Sequence, residues 1–203
     1  MTAAAEPMGK RERAKVQNRQ AILAAAKRVF AQMGYDVATV RDIIRCTDLA
    51  SGTFYNYFRS KEEVYEALAD DSARRFQPIL QDVREDSETF EDYILKSLKA
   101  FFEFLVEDNS LEGRPVAERR PHVRVDTPEM KAVYEEVRAG LEAAVAKGMA
   151  PKVDADYLAC ACIGIAQEVG AAMLRRDPCD VDGAARFCAG LILNGLAGAQ
   201  APA

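Results

Sequence analysis

With 203 residues, 49% of them hydrophobic and 29% charged, the chain can bury one or two cores, and its composition excludes a disordered polypeptide. Ala, Leu, Glu, Arg and Lys dominate and alternating apolar–polar runs are missing, which excludes a β-rich chain and predicts an all-α one. The net charge of −5 is unevenly spread: residues 1–60 carry ten Lys/Arg against five acids, and the remainder carries 17 against 27, or −10.

The basic end comes first. Residues 1–12, with Pro7, Gly9 and a charge cluster, read as a flexible basic arm. Residues 1–20 are polar and lack the apolar segment of a signal peptide, so a cytoplasmic protein is expected. A helix is predicted over 14–33, with Ile22, Ala26, Val29, Phe30 and Met33 at helical spacing and Gly34 as its stop. Thr39 caps a second helix, with Asp42 three residues on and Val40, Ile43 and Ile44 facing inward. Residues 46–50 form a turn plugged by Leu49, and Ser51 caps a third helix whose inner face is Phe54 and Phe58. Ser60-Lys61-Glu62-Glu63 is a capping box for a fourth helix, which carries Val64, Tyr65, Leu68, Phe76 and Leu80 and is expected to kink or break at Pro78.

Thr89 opens a helix with the stripe Phe90, Ile94, Leu98, Phe101 and Leu105, widened by Leu95, Phe102 and Val106, so burial on most sides is expected. Residues 109–126 contain Gly113, Pro115 and Pro121 and hold at most a short helix; His122, the one histidine, falls in a basic loop with a solvent-exposed default. Thr127-Pro128 starts a helix that buries Met130, Tyr134, Val137 and Leu141 and ends at Gly148. Asp154 caps another, to about 176, and Asp180 or Asp182 the last, to about 197, for about nine helices in all. The most apolar stretch, 157–174, is interrupted by Gln167 and Glu168 and reads as a buried helix, with no membrane contact. The five cysteines are odd in number, and Cys160 and Cys162 face different directions on one helix. Reduced thiols are therefore expected, with no disulfide, metal or cofactor.

The stretch 39–68 carries the chemistry. Two short helices joined by a tight turn, the second rich in hydroxyl and aromatic side chains and free of acids, suit a helix-turn-helix whose second helix enters a DNA groove. Leu49, Phe54 and Phe58 anchor one face. Ser51, Gly52, Thr53, Tyr55, Asn56 and Tyr57 are left for the other, where hydroxyls reach base edges or phosphate oxygens. Arg41 projects from the preceding helix toward a bidentate contact with guanine O6/N7. Thr39, Tyr55, Tyr57 and Lys61 are the candidate phosphate clamps.

The run from Ile22 to Leu68 closely resembles the DNA-binding domain of the tetracycline-repressor (TetR) family. The resemblance lies in Phe30-Ala31…Gly34-Tyr35, in Thr39-Val40-Arg41-Asp42-Ile43, and in Gly52-Thr53-Phe54-Tyr55…Phe58…Ser60-Lys61-Glu62. Arg45-Cys46-Thr47-Asp48 departs from it, standing where such proteins often have small alanine- and glycine-rich turns. The resemblance divides the chain into an arm (1–12), a helix-turn-helix domain (13–60) and a helical body (61–203). It implies that the body forms a homodimer through its last two helices and encloses a ligand pocket.

Stripes in the body agree with that implication. Leu158, Cys162, Ile165, Val169 and Met173 line one helix and Phe187, Leu191 and Asn194 the last, with Gly164, Gly170, Gly190 and Gly195 permitting close approach. Packing within one chain is the alternative for each of these positions. Phe101, Phe104, Leu105, Met130 and Tyr134, with Glu168 as a polar group, are candidate pocket residues, and core filling is the alternative for each. The function expected is a ligand-responsive repressor that binds a palindromic DNA operator as a homodimer and is released by a small, largely apolar effector. The runner-up is a DNA-binding accessory factor without such gating. An enzyme is not expected: there is no Glu-x-x-His pair, no phosphate-cradling glycine loop and one histidine in all.

Overall fold

The structure, a computed structural model, describes residues 9–110 and 127–196. Among them eight helices and no strand occur: α1 (Lys10–Met33), α2 (Val40–Arg45), α3 (Ser51–Tyr55), α4 (Lys61–Glu85), α5 (Phe90–Ser110), α6 (Pro128–Ala146), α7 (Ala155–Leu174) and α8 (Val181–Leu196). The all-α expectation holds, with eight helices among the described residues. α4 carries Pro78 inside it without a break. Any short helix in 111–126, and His122 with it, lies outside the described residues.

α1 starts at Lys10, not at 14, because the Gly9 carbonyl already accepts the Arg13 N–H at 3.0 Å and Glu12 sits favourably in the first turn. Its other end stops at Gly34, whose N–H donates to the Phe30 carbonyl and whose φ of +80° lies where glycine alone is unstrained. Met33, expected inside, is exposed.

Two cores follow the two halves of the chain. Ile22, Ala25, Ala26, Val29, Ile43, Phe54, Phe58 and Val64 bury one another near the amino terminus. α2 and α3 have six and five residues, too few to persist alone, so the burial of Ile43 and Phe54 is what makes them helices. α4 runs on from this core into the body, where Phe76 and Leu80 pack with Phe104. There α5 is the central helix, packed on α4, α7 and α8 and buried through Phe90, Ile94, Leu98, Phe102 and Leu105, although Leu95 is exposed. α7 approaches it closely at Gly170, where a Cβ would lie 2.6 Å from Leu105 Cδ1. α7 is also the one described helix long and apolar enough to cross a membrane; here Leu158, Ala159, Cys162, Ala166 and Met173 bury its inner face in the body core.

A polar junction joins the two halves. Lys27 of α1 donates to Asp108 Oδ1 of α5 at 2.8 Å, Arg75 of α4 pairs with the same oxygen, and Ser72 donates to Oδ2 at 3.4 Å. Burial alone would raise the Asp108 pKa; the hydrogen bonds from Lys27 and Arg75 outweigh it and hold the carboxyl below its usual range.

Candidate nucleic-acid interface

The helix-turn-helix forms where expected, and the structure shows how it is braced. Thr39 Oγ1 accepts the Asp42 N–H at 3.3 Å while the Asp42 carboxylate accepts both the Thr39 N–H (3.0 Å) and the Thr39 hydroxyl (2.5 Å). These side-chain and backbone bonds from Thr39 hold the Asp42 pKa below the ordinary carboxylate range. In the turn, Thr47 Oγ1 donates to the Ile44 carbonyl and accepts the Leu49 N–H. Arg28 of α1 donates to the Cys46 carbonyl at 3.2 Å, a brace across the turn. Two capping expectations change. Ala50, not Ser51, is the N-cap of α3, and Ser51 is its first helical residue with no capping bond. Ser60 does accept the Glu63 N–H, but Glu63 reaches back to the Arg59 N–H rather than to Ser60.

Two of the four candidate phosphate clamps are committed inside the fold. Both donors of Thr39, hydroxyl and amide, go to Asp42. Lys61 gives its three N–H bonds to the carbonyls of Tyr35 (2.9 Å), Asp36 (3.2 Å) and Ala38 (3.0 Å), with its ammonium 4.6 Å from the Tyr35 ring centre. An ammonium has three protons, and all are used. Lys61 therefore staples the connection between α1 and α2. The sequence placed it near a helix start but held no sign of the carbonyls that fold back over it. Lys61→Ala is expected to cost about 2 kcal/mol of stability, the loss of charge-assisted bonds. A clamp to phosphate would instead flatten the salt dependence of DNA binding by about one. Thermal denaturation beside a salt titration separates the two, and the expected result is a lower Tm with an unchanged slope.

The remaining candidates are mostly open to solvent. Arg41, Ser51, Gly52, Tyr55 and Asn56 are exposed, and Thr53 is half-buried. Arg41 has no hydrogen bond or ion pair among the described residues, so its guanidinium fork is available to a base edge. Tyr57 is half-buried, and its hydroxyl accepts from Asn18 Nδ2 of α1 at 3.3 Å. On the inner side, Phe54 is 1% exposed and meets Phe58 with ring centres 6.2 Å apart. Leu49 packs against the same core.

In the body the expected residues divide. Leu158 and Cys162 are buried against the core of their own chain, and burial pushes the Cys162 thiol up to about 12. Ile165 and Val169 are half-buried against the same core. The open face of α7 is instead Tyr157, Ala161, Gly164 and Gln167. On α8, Phe187 (63% exposed), Leu191 (53%) and Asn194 do face outward and line an open groove with Gly190. Helical spacing identifies an apolar stripe but not which neighbour covers it.

Among the pocket candidates, Phe104 and Leu105 are buried and Phe101, Met130 and Tyr134 half-buried. Phe76 meets Phe101 edge-on and Phe104 at a tilt, with ring centres 5.4 and 5.1 Å away, under Val133 and Val137 of α6. Tyr134 points another way, its hydroxyl donating to the Asp156 carbonyl on α7. Glu168 is exposed on α7.

Comparison with known proteins bears on both halves. The sequence profile of the family described as "Bacterial regulatory proteins, tetR family" matches residues 22–68. The HTH-type transcriptional repressor AcnR of Corynebacterium efficiens is 42% identical over 60 residues, 30% of this chain and 32% of that protein. The AcnR protein of Corynebacterium glutamicum is 37% identical over 65 residues, 32% and 35% of the two chains. The match thus spans about a third of the length of these curated relatives. Whole-chain likeness comes from solved structures. A putative TetR-family transcriptional regulator from Syntrophomonas wolfei has a TM-score of 0.71 at 18% identity over 91% of this chain and 97% of that one. The transcriptional regulator FadR from Bacillus subtilis, solved in complex with stearoyl-CoA, has a TM-score of 0.71 at 19% identity over 87% and 98%. At such identities the likeness is one of fold.

Proposed function

We propose that this chain is a TetR-family transcriptional repressor, with the family's DNA-binding domain at residues 22–68, and that it binds a palindromic operator as a homodimer. The observation that carries the reading is α3 and the residues just after it: Phe54 and Phe58 are buried while Ser51, Gly52, Tyr55 and Asn56 stay exposed, and Arg41 of α2 has no hydrogen bond or ion pair among the described residues. A side chain held ready without an internal partner can spend its hydrogen bonds on bases.

The dimer would form across α7 and α8. Phe187 and Leu191 lie exposed there, and Gly164, Gly190 and Gly195 have nothing within 4 Å of a would-be Cβ, which leaves room for a partner helix. Two recognition helices would then lie about one DNA turn (~34 Å) apart.

Release by a small, largely apolar effector completes the proposal. Its support is the aromatic cluster of Phe76, Phe101 and Phe104 on α4 and α5, directly along the helix that continues into the DNA-binding core. The Bacillus subtilis FadR was solved with stearoyl-CoA, whose acyl chain is apolar although its coenzyme A part is large and polyanionic. An effector that separates those rings would displace α4, and derepression would follow from its preference for one of two states. The close packing of the three rings also favours a second reading, an accessory DNA-binding factor with no effector. Operator affinity that no acyl-CoA or apolar metabolite changes would decide for the latter.

A gel-shift titration with fragments from around the gene tests the DNA reading; no sequence-specific retention at low salt overturns it. Arg41→Ala is expected to cost about 1–3 kcal/mol and to relax base preference at one position per half-site. Selection from a randomised duplex pool checks this, and a uniform loss across sequences would reassign Arg41 to the backbone.

A further inference from the structure

The first turns of α1 were expected to belong in part to a loose arm, yet they are helical and strongly basic: residues 10–19 hold five Lys/Arg and one acid. Arg11, Lys15 and Asn18 recur at i, i+4 and i+7, one face of the helix. That face looks across a groove of about 630 Å³ at Asn56 and Tyr57, the residues just beyond α3, with Glu12 also lining it. Arg11 and Lys15 are exposed and have no ion pair among the described residues. Asn18 donates to the Tyr57 oxygen, which leaves the Tyr57 proton free to donate elsewhere. Arg19 adds a brace, its guanidinium 5.4 Å from the Phe58 ring centre.

We infer that this groove is a second DNA-contacting site, which takes phosphate oxygens of the duplex backbone flanking the bases read by α2 and α3. Arg11 and Lys15 supply the charge, and Tyr57 and Asn56 supply directed donors. The reading rests on the proposed DNA binding. It adds that the contact surface extends along α1, beyond the helix-turn-helix. Two cations a turn apart, facing polar donors and with no ion pair among the described residues, match a polyanion, because exposed side chains of one sign gain only from a ligand of the other. Glu12 offsets part of that field.

The test uses the full-length protein and a duplex recovered from a randomised pool by the wild type. The double variant Arg11→Ala/Lys15→Ala replaces exposed residues by a strong helix former, so its Tm should be unchanged. Its affinity is expected to fall for every sequence alike, and its log K against log salt slope to flatten by ~0.9 per lost contact. Each lost contact then shrinks the wild-type advantage about threefold between 50 and 200 mM salt. Arg11→Lys/Lys15→Arg should restore the slope, and Glu12→Gln should tighten binding. An unchanged slope in the double variant, with Arg41→Ala still losing base preference, overturns this site and leaves the DNA reading standing. Changed base preference in the double variant overturns the phosphate assignment, as would weaker binding by Glu12→Gln. Absence of DNA binding by the wild type overturns both readings together.

Discussion

Phe54→Ala is expected to abolish specific DNA binding while the helical body stays folded. Phe54 is among the most deeply buried side chains of the amino-terminal core, packed with Ile22, Ile43, Phe58 and Val64 and edge-on to Tyr55. Truncating a buried phenylalanine costs about 3–5 kcal/mol through lost transfer energy and the cavity left behind. The core that would bear this cost is small, and α3 has only five residues with no side-chain cap. Without its anchor α3 loses the packing that makes it helical, and Ser51, Tyr55 and Asn56 lose their common face. The body core, built on α5, shares none of these residues. Calorimetry should show an early transition separating from a later one, and affinity should drop by more than about a hundredfold, the equivalent of roughly 3 kcal/mol. Phe54→Leu, which keeps much of the volume, should recover part of both. Full affinity in Phe54→Ala would mean that α3 is not the reading element.

Phe187→Asp combined with Leu191→Asp is expected to turn a dimer into a monomer. Both side chains are more than half exposed in the single chain, so their replacement leaves its core untouched, and surface changes of this kind stay within about 0.5 kcal/mol of neutral. Across a two-fold axis each aspartate would meet its own kind or an apolar face, and either is costly. A monomer holds one half-site, and operator affinity should fall by a factor on the order of 10²–10⁴ as the linked second contact disappears. Sedimentation beside the gel shift reads both quantities. A wild type that sediments as a monomer, or a variant that remains dimeric, would refute the α7–α8 interface.

The contrast between these two sites shows what a linear sequence can disclose. Leu49, Phe54 and Phe58 were legible as anchors because short helices offer few ways to bury a ring, and spacing settles which side is in. Thr39 was legible as a cap for the same local reason, three residues from Asp42. Lys61 was not. Its bonding partners lie 23 to 26 residues away, on a loop whose carbonyls converge only after folding. Arg28, Asn18 and Asp108 escaped notice similarly, as single polar residues whose meaning depends on a distant partner. On α7 the sequence marked an apolar helix, but Leu158 and Cys162 look inward and Tyr157 outward, a choice set by where α5 happens to lie.

Asp108 sets a condition on recombining this protein with its relatives. Its carboxylate is shared by Lys27 from the DNA-binding half and by Ser72 and Arg75 from the stretch of α4 beyond it. A chimaera that took residues up to 60 from another regulator would keep Asp108 and discard Lys27. The seam would then hold a half-buried carboxylate with one of its two cations missing. Grafts at that boundary must carry a cation at position 27 or neutralise position 108, and swaps that do neither will read as a loss of DNA binding although the recognition helix is intact.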